Sequence, residues 1–167
     1  MIRLRRWVLF GALSLVSTLA LAQAQAAGEI GSTVQWRDVR LLDGRTLRAD
    51  ELRESAVVVQ IWASWCPFCG AQNPHVQKLH DAHRNAGLTV LAFSIDQTEQ
   101  AARDYLAKRG YTFNVAMRNA DVDRWFGRNR AVPETYVVDA TGKIVFVQRG
   151  EMFPEDIAAL SRFARRG

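Results

Sequence analysis

Cysteine is scarce in this chain: of 167 residues only Cys66 and Cys69 carry a thiol. A small secreted scaffold stapled by disulfides needs more of them, spread along the chain. A bridge between residues so close together removes little chain entropy, so it would be a poor staple. Acids are missing from the start, with none before Glu29, while Arg3, Arg5 and Arg6 fall there. Those three belong to the 22 Lys and Arg that face 17 Asp and Glu. Without them the formal charge drops from +5 to about +2, and no basic cluster is interleaved with aromatics. Nucleic-acid binding is therefore not expected. Arg162, Arg165 and Arg166 read instead as the solvated end of a helix, where cations suit the dipole. After residue 21 no run is long and apolar enough to cross a bilayer, which takes about 20 residues. Apolar residues at 49% and charged ones at 23% fit one folded domain and exclude a disordered chain.

The N-terminus has the three parts of a secretory signal. Arg3, Arg5 and Arg6 form a basic start, Trp7 to Leu21 an apolar stretch, and Ala22-Gln23-Ala24-Gln25-Ala26 the small residues of a cleavage site. The expectation is a signal peptide over 1–26, with cleavage after Ala24 or Ala27 as neighbouring choices, and a folded domain over 27–167. An uncleaved membrane anchor is the alternative. Either way the domain is exported, to the periplasm, where disulfides persist.

The mature chain alternates strand and helix. Trp36 to Leu41 and Arg45 to Leu47 flank Asp43-Gly44, a hairpin turn signal. Ala49 to Arg53 reads as a helical turn. Ala56 to Trp62 is a nearly continuous β-branched run, as in a strand buried on both faces. A helix is expected from Cys66 to about Asn85, a strand over Leu88 to Ile95, and a helix over Glu99 to Arg109 closed by Gly110. A strand over 112–117 and a helix over Ala120 to Phe126 follow. Thr135 to Asp139 and Ile144 to Arg149 form a second hairpin, and Pro154 to Arg166 a closing helix with proline near its start. The order implies an α/β sandwich with a mixed sheet: parallel crossovers first, an antiparallel hairpin last.

Trp62-Ala63-Ser64-Trp65-Cys66-Pro67-Phe68-Cys69 sits where the buried strand ends and a helix begins. Cys66 falls at the helix N-cap, where free N–H groups and the positive dipole end favour a thiolate. Only the thiolate attacks a disulfide. Pro67 suits the first helical position, since its missing N–H would have no partner there. Cys69 lies one turn on, on the same face, within reach of a disulfide and expected to be the more buried, resolving sulfur. Trp62 reads as core and Trp65 as half exposed beside the sulfurs. A metal site would need further ligands; His75, His80 and His83 are the candidates. His80 and His83 share a helix face several turns from Cys66, so they are expected to be solvated or capping. A Cu(I) ion on the dithiol remains the competing chemistry, a chaperone without turnover. The Pro-x-x-x-Thr-x-x-Cys pattern of a peroxidatic cysteine is absent.

These residues resemble the thioredoxin superfamily. The form Trp-Ala-Ser-Trp-Cys-Pro-x-Cys, the preceding hairpin with Asp43-Gly44, and Val132-Pro133-Glu134-Thr135-Tyr136-Val137-Val138-Asp139-x-x-Gly142 are similar to the TlpA/ResA/DsbE-like exported thiol–disulfide oxidoreductases, from about Trp36 to Ala164. The resemblance implies a thioredoxin-like sandwich, its mixed central sheet flanked by helices, with an N-terminal β-hairpin extension. It implies a cis Pro133 facing the cysteines, with the backbone of Val132 binding an extended substrate segment beside Trp65, Pro67 and Phe68. Disulfide-containing proteins would be the substrates, a DsbD- or CcdA-like membrane thiol transporter the electron donor, and the Cys66–Cys69 disulfide the sole redox group, with no cofactor and no metal. Phe68 between the cysteines offers no donor to the sulfur, unlike the histidine of strong oxidants, which points to reduction. Two departures stand out. Gln72 occupies the place of an acid that many relatives carry three residues after the second cysteine, and Gln60 that of a buried aspartate in thioredoxin. Neither accepts a proton at neutral pH. Glu134 is a candidate acceptor, against the plainer expectation of a solvated surface carboxylate.

Overall fold

Strand β3 (Ala56–Trp62) is buried at every position, as its run of β-branched residues requires. The computed structural model describes residues 26–84, 86–128 and 131–164; the signal-peptide expectation lies outside them. Before β3 come the short strands β1 (Val39–Arg40) and β2 (Thr46–Leu47), paired antiparallel, and helix α1 (Glu51–Glu54). After it follow α2 (Pro67–His83), β4 (Leu88–Ser94), α3 (Glu99–Arg109), β5 (Asn114–Met117) and α4 (Ala120–Phe126). Then β6 (Glu134–Val138), β7 (Ile144–Arg149) and α5 (Pro154–Ala159) complete the order.

The five long strands form one sheet in the order β5-β4-β3-β6-β7. β3 pairs parallel with β4, and β4 with β5; β6 runs antiparallel to both β3 and β7. This is the mixed α/β sandwich expected, with the two-stranded hairpin at its N-terminal side. Alternation along β3 divides the core. Val58 and Trp62 face a layer holding Cys69, Val76, Leu79, Ile157 and Leu160. Val57, Val59 and Ile61 face the opposite layer, with Trp36, Trp125, Phe126 and Tyr136. There Trp36 meets Trp125 edge-on, ring centroids 5.2 Å apart.

Local chemistry sets the element ends. Thr98 caps α3 by accepting the Ala101 N–H at 3.2 Å, and Gly110 closes it in the left-handed conformation, φ 68°. Asn119 caps α4 by accepting from the Asp121 and Val122 amides. β5 starts two residues later than expected, at Asn114, and two elements are much shorter than expected. The first hairpin keeps only two residues per strand, because Trp36, Leu41 and Leu42 turn into the core and Leu42 instead donates its N–H to Val115 O at 2.7 Å. The closing helix is α-helical only to Ala159 and tightens to a 3-10 turn over Leu160–Phe163. Arg165 and Arg166 lie outside the described residues.

Candidate active site

The chain leaves β3 at its C-terminal end, turns through Ala63-Ser64-Trp65 and enters α2 at Cys66. Cys66 is the N-cap, in extended conformation, and its Sγ accepts the Cys69 N–H at 3.2 Å. Pro67 occupies the first helical turn and is exposed. Cys66 Sγ also lies 3.5 Å from the carbonyl oxygen of Val132. Cys66 is 4% exposed and Cys69 fully buried. Burial, and the hydrogen bond with Cys66, push the Cys69 thiol well above its ordinary pKa of 9.0. One sulfur thus sits at a helix N-terminus at the rim of the site, and the other lies beneath it in protonated form.

Around Cys66 the surface is apolar. Trp65 and Phe68 are 63% and 57% exposed. Trp65 stands further into solvent than the half exposure expected of it. Val132 is half-buried, Pro133 buried, and the bond between them is cis. Pro133 O accepts the Gly150 N–H at 2.9 Å, which ties the chain after β7 to this wall. The same segment carries Phe153, 68% exposed.

The turn bearing Trp65 and Cys66 hangs on Asp96, whose burial the sequence reading did not single out. Its carboxylate accepts the Ser64 N–H at 3.1 and 3.2 Å, the Ser64 hydroxyl at 2.8 Å and the Ser94 hydroxyl at 2.7 Å. An acid directly after an apolar strand, in Phe93-Ser94-Ile95-Asp96, was the available signal.

The two glutamines are braces. Gln72 Nε2 donates to Thr135 Oγ1 at 3.2 Å, and Gln72 Oε1 accepts the Met152 N–H at 2.9 Å, joining α2 to β6 and to the segment after β7. Gln60 Nε2 donates to Asn73 Oδ1 at 3.1 Å.

Two expectations are overturned. Glu134 is not a solvated surface residue: it is 2% exposed, and Tyr136 donates its hydroxyl to Glu134 Oε2 at 2.9 Å. As the first residue of β6 it is covered by β3 on one side and β7 on the other, opposite Ile61 and Arg149. By strand alternation its side chain shares a face with Tyr136, in the layer opposite Cys69. His80 is likewise buried, at 8% exposure, on the wall of a cavity that hairpin residues and α3 also line. His75 and His83 stay half-buried on that helix, and among the described residues no group of three or more His, Cys, Asp or Glu side chains is arranged to hold a metal ion.

A dithiol at the start of the helix that follows the central strand, facing a cis proline, defines a thioredoxin-fold protein built for thiol–disulfide chemistry. The chain belongs to the Redoxin family, whose profile matches residues 29–161. It is 26% identical over 134 residues to the thiol-disulfide oxidoreductase ResA of Geobacillus thermodenitrificans (strain NG80-2), covering 80% of this chain and 76% of that one. A thioredoxin family thiol:disulfide interchange protein from Chlorobium tepidum TLS superposes with TM-score 0.73 at 21% identity, over 83% of this chain and 99% of the other. A secreted Mycobacterium tuberculosis disulfide oxidoreductase homologous to E. coli DsbE does so with TM-score 0.62 at 19% identity, over 75% and 96%. With the Cys66–Cys69 pair, these relatives make the chain a ResA/DsbE-like thiol–disulfide oxidoreductase.

Proposed function

We propose that this protein is an exported reductase of protein disulfides, with Cys66 as nucleophile and Cys69 as resolving thiol. The observation that carries the reading is the asymmetry of the pair. Cys66 Sγ sits at a helix N-terminus and accepts an N–H there, while Cys69 is sealed beneath it as a thiol. The Cys66 thiolate attacks one sulfur of a substrate disulfide. The substrate S–S bond breaks, the other substrate sulfur leaves and takes a proton, and a mixed disulfide joins Cys66 to the substrate. Cys69 then attacks Cys66 Sγ, its proton passing to the second substrate sulfur at the mouth of the site. The second substrate sulfur leaves, and Cys66–Cys69 is oxidised. Two electrons pass to the substrate, so a dithiol donor must restore the pair. A DsbD- or CcdA-like membrane transporter supplies that chemistry.

Trp65, Pro67, Phe68, Val132 and Pro133 form the substrate-binding surface. The exposed rings of Trp65 and Phe68 favour an apolar, extended segment, and the Val132 backbone offers strand-like hydrogen bonds. Phe68 supplies no donor to the sulfur, so the thiolate gains no extra stabilisation there and the pair favours giving electrons. The cycle uses the disulfide as its redox group and needs no cofactor or metal. Export rests on the basic and apolar leader with its small-residue end, and residues 27–167 are the working domain.

Insulin reduction with a dithiol donor tests the proposal. Wild type is expected to turn over and Cys66→Ser to lose turnover. Turnover retained in Cys66→Ser, or stoichiometric Cu(I) binding without any turnover in wild type, overturns it.

A further inference from the structure

A cavity of about 740 Å³ lies at the end of the molecule away from the cysteines. The hairpin, the end of α2, the start of β4, α3 and the chain entering β5 line it, and it is half open to solvent. Helix α2, which starts beside Cys66, has 17 residues, and these span about 25 Å to the cavity. Leu42, Val90, Leu106 and Phe113 give it an apolar wall. Arg45, Arg84 and Arg103 bring three guanidinium groups to that wall, and Asp43 is the one carboxylate lining it.

That carboxylate is already engaged. Arg45 donates its Nε to Asp43 at 2.7 Å and its backbone N–H at 2.9 Å, and Arg45 also donates to Asn114 Oδ1 at 3.0 Å. These bonds fix Arg45 as part of the wall. Arg103 is held from outside the cavity by Glu99, at 3.1 Å. Among the described residues the Arg84 side chain has no hydrogen-bond or ion-pair partner. The buried His80 ring lines the same wall, with its Nδ1 unpartnered among the described residues. Asp81, its chain neighbour, accepts from Gln77 at 2.9 Å and does not line the cavity.

The combination is selective. An apolar wall alone suits a neutral molecule, and an open basic track suits nucleic acid. A half-open apolar pocket edged by excess positive charge suits a small organic anion, its body on the apolar wall and its head group at the charged mouth, and the volume is that of an ordinary small-molecule site. We propose that this cavity binds a small amphiphilic organic anion, its head group against Arg84 and Arg103 and its apolar body on Leu42, Leu106 and Phe113. The site is separate from the dithiol and does not rest on the redox reading.

The test titrates the full-length mature protein with 1-anilinonaphthalene-8-sulfonate by fluorescence. N-phenyl-1-naphthylamine, which carries the same rings without the sulfonate, is the neutral control. Saturable one-to-one binding is expected. Arg84→Gln with Arg103→Gln should weaken the sulfonate at least tenfold and leave the neutral probe within twofold. Both side chains are exposed, and circular dichroism together with single Arg84→Gln separates lost binding from lost fold. Phe68→Ala with Phe153→Ala, at the cysteine end, should leave the affinity within twofold. Non-saturable binding, an affinity insensitive to the arginines, or loss of binding in the Phe68/Phe153 variant overturns the proposal.

Discussion

Asp96 holds Ser64 by both its backbone N–H and its hydroxyl, and so fixes the turn two residues before Cys66. A buried carboxylate that accepts several donors contributes through charge-assisted bonds, and its removal leaves those donors unpaired. Asp96→Ala is expected to destabilise the fold by about 3 kcal/mol, and Asp96→Asn by less, since an amide keeps one acceptor. Denaturant unfolding measures both. Equal stability of Asp96→Ala and wild type would show that the turn does not depend on this acid.

The exposed rings beside Cys66 are expected to act on substrate binding and not on the sulfur. Trp65→Ala and Phe68→Ala should raise KM for a protein disulfide several-fold while leaving the rate with a small aromatic disulfide nearly unchanged. Each ring is more than half exposed, so stability should move by under about 0.5 kcal/mol. Parallel kinetics on the two substrates provide the check.

Glu134 lies in the layer opposite Cys69, so it is expected to serve stability and not proton transfer. Tyr136→Phe should cost about 1 kcal/mol, and Glu134→Gln about 1–3 kcal/mol. The double variant should cost less than the sum, because each change removes the same bond. The pH profile of turnover in Glu134→Gln should match that of wild type. A shifted profile would place this carboxylate in the proton path after all.

His80 makes acid stability measurable. Burial is the chief cause that lowers its pKa below the ordinary 6.5; the Asp81 charge opposes it, and the charges of Arg84 and Arg45 add to it. Below pH 6.5 the unfolded chain takes up a proton that the folded chain resists, so stability falls as pH drops. His80→Gln should flatten the loss between pH 6.5 and 5. Urea midpoints across that range test this, and an unchanged slope would contradict it.

What the sequence carried best was periodicity and the cysteine motif. The β-branched run of β3, the closing Gly110 and the first-turn Pro67 express local physics, and they fall where local physics puts them. Glu134 and His80 were misread for one reason. A polar residue in a strand or helix reads as solvated until its tertiary neighbours are known; here β3 and β7 flank Glu134, and His80 faces a cavity that α3 and the hairpin also line. The same holds for Asp96, which acts through a strand end and a turn 32 residues apart. The distal cavity draws its wall from the hairpin, α2, β4, α3 and the stretch entering β5, and no single stretch of chain betrays it. The shortened first hairpin reflects tertiary packing overriding turn chemistry: Asp43-Gly44 does make the turn, but Leu41 and Leu42 are worth more in the core than in a longer ladder.

The division of labour between the sulfurs is tested most directly by trapping. Cys69→Ser is incubated with a disulfide-containing protein, the adduct is isolated under non-reducing conditions, and the linkage is mapped by mass spectrometry. A stable mixed disulfide on Cys66, absent from Cys66→Ser, is the expected result. An adduct that forms on Cys69 when Cys66 is replaced, or no adduct in Cys69→Ser, would contradict the assignment.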